Sequence, residues 1–183
     1  MDDLRERILD AARQTTSERG WSAVTMAGLG QAVGVSRQSV YNEFGSKDQV
    51  ATALVTREVS LFLNAVAEQM ATGDSPAEAL ARAADTVFTL AEDNPLLHSM
   101  LGAAVGADSP VLPLLTSQSQ PVIDAAVTLI TGGLTSRFDE LPPAPELRIA
   151  VETVVRVVLS HIVQPGKSDS ADIAFIAQRL LAV

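Results

Sequence analysis

Thr25-Met26-Ala27-Gly28-Leu29-Gly30-Gln31-Ala32-Val33-Gly34-Val35-Ser36-Arg37-Gln38-Ser39-Val40-Tyr41-Asn42-Glu43-Phe44-Gly45-Ser46-Lys47 is the stretch whose reading decides the fold. Thr25 can cap a short helix carrying Met26, Leu29, Ala32 and Val33, which Gly34 ends. Ser36 can cap the next, carrying Val40, Tyr41 and Phe44 before Gly45. Only Gly34 and Val35 separate the first helix from the cap of the second, and a turn this short between helices of this length marks a helix-turn-helix.

Working outward, Leu4, Ile8, Leu9, Ala12 and Thr15 fall at helical spacing behind Asp2 and Asp3, with Gly20 placed to stop that helix. Ser46-Lys47-Asp48-Gln49 has the form of a capping box and opens a long helix to about Met70. Ser75-Pro76-Ala77-Glu78 opens another to about Glu92, ended by Asn94-Pro95. Residues 96–105 read as a shorter helix, Asp108-Ser109-Pro110 as an irregular or helical piece, and Pro121 as the start of a helix toward Phe138. Residues 146–163 are rich in valine, but 18 residues is too long for an ordinary strand, so helix is favoured. A last helix spans about 170–182, after a turn at Pro165-Gly166. The fold class is all-α: a three-helix helix-turn-helix domain at 1–47 and a helical ligand-binding and dimerisation domain at 48–183.

Charge divides the chain in the same place. Of 13 basic and 22 acidic residues, 1–47 hold six of each, so the whole net charge of −9 arises beyond residue 47. The N-terminal region can approach DNA while the rest repels it. The stretches free of formal charge, Asn94–Ala107 and Ser109–Ile123, are shorter than a membrane span needs, about 18 residues, and both contain proline, so no membrane association is expected. The start Met1-Asp2-Asp3 carries no readable secretory signal, and zero cysteines exclude disulfides and thiol chemistry. A cytoplasmic protein fits.

A helix starting at Ser36 presents Arg37, Gln38 and Ser39 in its first turn, where a reading helix meets base edges; Arg suits guanine and Gln suits adenine. Tyr41 and Asn42 can donate to phosphates, and Thr25 and Lys47 flank the helix where the backbone would run. Val40, Phe44, Trp21, Leu29 and Ala32 read as the packing of the three-helix unit. Catalytic constellations are absent: there is no Gly-x-Ser-x-Gly elbow, phosphate loop or His-Glu-x-x-His. No enzyme, metal site or cofactor is expected. His98 and His161 read as packing or capped side chains, and Arg156 as the partner of Glu152 one turn earlier.

Gly20-Trp21, Thr25-Met26, Leu29, Gly34-Val35-Ser36, Tyr41, Phe44, Lys47 and Val50 resemble the N-terminal pattern of the tetracycline-repressor (TetR) family, over roughly residues 4–54. Gly30 stands where that family usually has alanine, and Asn42-Glu43 replaces its usual aromatic or histidine pair. The resemblance implies a DNA-binding regulator with an effector-binding and dimerisation domain, a repressor by default.

Helices 146–163 and 170–182 carry more apolar surface than a one-sided helix buries, among it Ile149, Val158, Ile176 and Leu180, so a homodimer on a palindromic operator is expected. Its reading helices would lie about 34–36 Å apart. The expected ligand wall comprises Leu61, Phe62, Phe88, Met100, Leu101, Leu115 and Ile123, with His98 and Arg156 as polar anchors. Aromatics are only 4% of the chain, which suits a flexible aliphatic or acyl effector better than a planar one. Its binding would shift the spacing of the reading helices. A second reading stays open here, a small-molecule binding protein whose helix-turn-helix is vestigial.

Overall fold

The computed structural model describes residues 2–102, 119–164 and 170–182, all helices and connections with no strand among them. Helix α1 is Asp2–Arg19, followed by a 3-10 turn at Trp21–Ala23. Then come α2 (Met26–Val33), α3 (Arg37–Phe44), α4 (Lys47–Met70), α5 (Pro76–Glu92) and α6 (Pro95–Gly102). The last three are α7 (Gln120–Arg137), α8 (Ala144–Val163) and α9 (Ser170–Leu180). The expected piece from Asp108, the end of the 96–105 helix and the turn at Pro165-Gly166 lie outside the described residues.

The expected caps form because each needs only a hydroxyl three residues ahead of an unpaired amide. The hydroxyls of Thr25, Ser36, Ser46 and Ser75 accept from the amides of Gly28 (3.0 Å), Ser39 (3.1 Å), Gln49 (3.2 Å) and Glu78 (3.2 Å). Glu78 reaches back to accept from the amide of Asp74, one residue before the cap, at 3.1 Å. The Arg82 guanidinium, then that amide, hold its carboxyl below the ordinary range, so this contribution is present near neutrality and lost on acidification.

By contact the described residues divide into two units. One takes residues 2–58 and 94–102, that is, the assigned 1–47 together with the first part of α4 and α6. Ile8, Leu9, Ala12, Leu29, Val40, Phe44, Val50 and Leu54 form its interior. Thr16, not the expected Thr15, completes the buried stripe of α1: its hydroxyl donates to the carbonyl of Ala12 (2.7 Å), and its own carbonyl accepts from the Ser99 hydroxyl of α6 (2.8 Å). Arg13 and Asn94 converge on the Glu58 carboxylate at 3.0 and 3.3 Å, and Arg57 pairs with Glu6 and Asp10. Length and mean hydropathy would let α4 cross a bilayer, a property that charge-free runs do not register, but Arg57 and Glu58 tie its middle to α1.

The second unit takes Val59–Asp93 and the described residues from 119 onward. Its core joins α5, α7, α8 and α9 through Leu80, Ile123, Leu134, Val151, Val154 and Ile173. The valines of α8 pack at helical spacing, so the strand reading fails. Arg137 donates to the carbonyls of Met70 and Gly73, tying the end of α7 to the turn after α4.

The expected packing of α2 needs correction. Ala32 is exposed, and Gly30 is buried in its place. A methyl added at Gly30 would stand 2.8 Å from the carbonyl oxygen of Val35 and 3.2 Å from the backbone of Ser36. The glycine is therefore the site of a close backbone approach, not only a weak point in the helix. Gly30→Ala should gain at most about 1 kcal/mol of helix propensity and lose about 1–3 kcal/mol to overpacking against backbone that cannot swing away. A lower thermal midpoint, measured by circular dichroism, is expected; a higher one would show that the turn yields.

Candidate nucleic-acid interface

The reading helix is set by its neighbours before any ligand arrives. Gly34 adopts φ 75°, the left-handed conformation that glycine tolerates best. The amide of Val35 then reaches the Gly30 carbonyl (2.8 Å) and that of Gly34 reaches Gln31 (3.4 Å), the paired bonds of a Schellman ending. Ser36 follows at once as the cap of α3. With Val40 and Phe44 buried, α3 turns Arg37, Gln38 and Asn42 outward.

The outward side chains are paired along the helix. Arg37 donates to the Tyr41 hydroxyl (3.2 Å) with its guanidinium 5.2 Å from the ring centre. Gln38 donates to the Asn42 side-chain oxygen (3.0 Å), and the hydroxyls of Ser36 and Ser39 lie 2.9 Å apart. Lys47 donates to the Trp21 carbonyl (3.0 Å) and sits 5.0 Å from the Trp21 ring centre. One of its three N–H groups is used, so two remain. Thr25 spends acceptor capacity on its cap and keeps its hydroxyl proton.

The cations sort by partner. Arg5, Arg13 and Arg57 are neutralised by Glu43 (3.6 Å), Glu58, and Glu6 with Asp10. Arg37 and Lys47 bond neutral groups, and neither has a carboxylate partner among the described residues. These two therefore keep their full charge for DNA, Arg37 toward base edges and Lys47 toward phosphates. The Arg5–Glu43 contact was not foreseen: Arg5 of α1 also stacks 4.4 Å over the Phe44 ring. Nothing local in the sequence announces a meeting of residues 38 positions apart.

The residues expected to bind a ligand are distributed over both units. His98 and Leu101 belong to the first unit, with His98 exposed. Met100 lies on α6, its side chain outside the description, and Leu115 lies outside the described residues. In the second unit Leu61 is 55% exposed, Phe62 and Phe88 are half-buried, and Ile123 is buried. Arg156 makes the surface pair with Glu152 at 2.7 Å and also reaches Gln120 at 3.3 Å. His161 packs on Phe88, ring centres 4.5 Å apart.

The model for bacterial regulatory proteins of the tetR family matches residues 8–54, and that for the bacterial tetracyclin repressor C-terminal domain matches residues 76–181, more than half of the chain. The chain belongs to the TetR family. It is a DNA-binding transcriptional regulator of that family, and the reading of a vestigial helix-turn-helix is not favoured. The HTH-type transcriptional regulator AlkX of Mycobacterium tuberculosis (strain ATCC 25618 / H37Rv) is 29% identical over 97% of this chain and 83% of its own length. Among solved structures, the TetR family repressor AlkX from Dietzia sp. strain DQ12-45-1b, implicated in biodegradation of n-alkanes, has a TM-score of 0.74 at 24% identity, covering 96% of this chain and 94% of its own. The regulator FadR from Bacillus subtilis, solved in complex with stearoyl-CoA, has a TM-score of 0.61 at 16% identity and 97% coverage of each chain. Both structures share the fold.

In this TetR-family regulator Arg37 and Lys47 should behave differently on DNA. Lys47→Ala is expected to weaken binding to every sequence and lower the slope of log affinity against log salt by about one. Arg37→Ala should cost about 1–3 kcal/mol at particular base pairs and relax preference there. Fluorescence anisotropy over a salt series separates the two, and unchanged affinity and slope in both variants would remove α3 as the reader.

Proposed function

We propose that the protein is a ligand-responsive repressor that acts in the cytoplasm, binds a palindromic operator as a homodimer and is released by an aliphatic or acyl effector. The observation that carries this reading is the exposed face of α3 with Arg37 and Lys47 beside it, two cations that bond neutral groups. The reading assigns the chain no reaction to catalyse.

Dimerisation draws support from surface that the chain leaves uncovered. Most of the apolar side chains counted on α8 and α9, Val151, Val154, Val155, Val158 and Ile173 among them, are buried within the second unit itself, because α5 and α7 cover those helices. What remains outside is Ile149 at 63% exposure, Phe175 at 59% and Leu180. Large exposed apolar side chains on two helices that touch each other suit a second copy. Val158→Arg would therefore break the fold and not an interface. Ile149→Arg with Phe175→Arg should instead give a monomer in sedimentation velocity with the helical circular dichroism unchanged; a dimer that survives both would place the interface elsewhere.

The effector class is supported by aliphatic side chains in the second unit, by the few aromatics in the chain, and by the n-alkane context and stearoyl-CoA ligand of the two similar structures. Phe62, Phe88 and Ile123 are the proposed walls, with His161 beside Phe88 as a polar contact. Fatty acids and acyl compounds, titrated into the protein–DNA complex, should release DNA where planar aromatics do not. Phe88→Trp should weaken that release, and release by aromatics alone would exclude the acyl class.

A further inference from the structure

We propose that Gln38 and Asn42 act as one reading unit for adenine, and that Asn42 is a specificity-determining residue and not a phosphate anchor. The inference rests on α3 being the DNA reader. At about 100° per residue, Asn42 lies opposite the mean direction of the buried pair Val40 and Phe44, and Gln38 lies about 40° from it. These two amides are thus the side chains most directly opposed to the core. Tyr41 with Arg37 flanks them on one side, and Glu43, held by Arg5, on the other.

Donor and acceptor accounting gives the base. The Gln38 Nε2 donates to Asn42 Oδ1 at 3.0 Å, and both residues are exposed. That bond uses one N–H of Nε2 and one lone pair of Oδ1; the groups it leaves untouched are an acceptor, Gln38 Oε1, and a donor, Asn42 Nδ2. Adenine presents the complement in the major groove, an N6 donor next to the N7 acceptor. Guanine presents O6 and N7, both acceptors, so it can take N–H groups from the pair but leaves Gln38 Oε1 without a donor. The mutual bond also orients both amides in advance, which reduces the freedom lost on binding. Because the pair is uncharged, it releases no counterion, and its loss should leave the salt dependence alone.

The test selects sites from a randomised double-stranded library with the full chain, then measures affinity for the selected site and for the same site with guanine in place of adenine, over a salt series. Wild type should prefer adenine at one position per half-site by roughly 5- to 150-fold. Asn42→Ala and Gln38→Ala should each abolish that preference, and the double variant should lose no more than either single one. Affinity for unrelated DNA and the salt slope should stay as in wild type. If Asn42→Ala weakened all sequences alike, with the preference for adenine kept, Asn42 would be a phosphate contact and the proposal would fail. Discrimination that survived Asn42→Ala would overturn it too. A wild type without any sequence preference would overturn the reader itself, an outcome distinct from both.

Discussion

The attitude of the reading helix depends on one turn, in which the backbone of Val35 and Ser36 passes so close over Gly30 that no side chain fits between. Three local choices make it possible. Gly30 removes the obstacle, Gly34 supplies the left-handed residue, and Ser36 starts the next helix without an intervening linker. Each satisfies a backbone group that would otherwise be orphaned at a helix end. The bond from Val35 to Gly30 and the cap from Ser36 to Ser39 leave the connection little freedom. Val40 and Phe44 then face the core, and the outward direction of Gln38 and Asn42 follows from helical geometry alone.

A second constraint acts from the far side of the same unit. Glu58 is a single carboxylate shared by Arg13 of α1 and Asn94, and the Asn94 side-chain oxygen caps α6 through the amide of Leu97 at 3.1 Å. One carboxylate thus joins α1, α4 and the start of α6, and the Ser99–Thr16 bond repeats the tie one turn along. These contacts explain why the first unit reaches Glu58 and recruits residues from 94 onward. A boundary placed at 47 follows the change in charge along the chain, whereas contact follows the ion pairs.

What could be read from the sequence was whatever is decided within about four residues. The caps at Thr25, Ser36, Ser46 and Ser75 and the Arg156–Glu152 pair depend on i, i+3 and i, i+4 neighbours, and they stand where the spacing put them. The helical character of 146–163 was legible for the same reason, since its length and apolar period exclude a strand. Misreadings lie where the deciding partner is remote. Ala32 and Gly30 are both small, and only the path of the following turn determines which is buried. Thr15 and Thr16 are alike by composition, and α6 selects the second. On α8 and α9 the pattern counts every hydrophobic position alike, and only the packing of α5 and α7 separates the buried valines from Ile149 and Phe175, which stay exposed.

Electrostatics shows why a region of zero net charge can still serve DNA. The carboxylates of Glu43 and Glu58 are matched by Arg5 and Arg13, and Glu6 and Asp10 share Arg57, so three of these four negative charges are offset at short range, which reduces their field a Debye length away, about 8 Å at physiological salt. Arg37 and Lys47 have only neutral partners, and the Tyr41 hydroxyl and Trp21 carbonyl orient these cations without discharging them. The nine excess negative charges all lie beyond residue 47 and disfavour DNA contact by the remainder of the chain. Net charge therefore misleads as a guide to this protein, because affinity for phosphate follows from which cations remain unpaired and where the fold holds them.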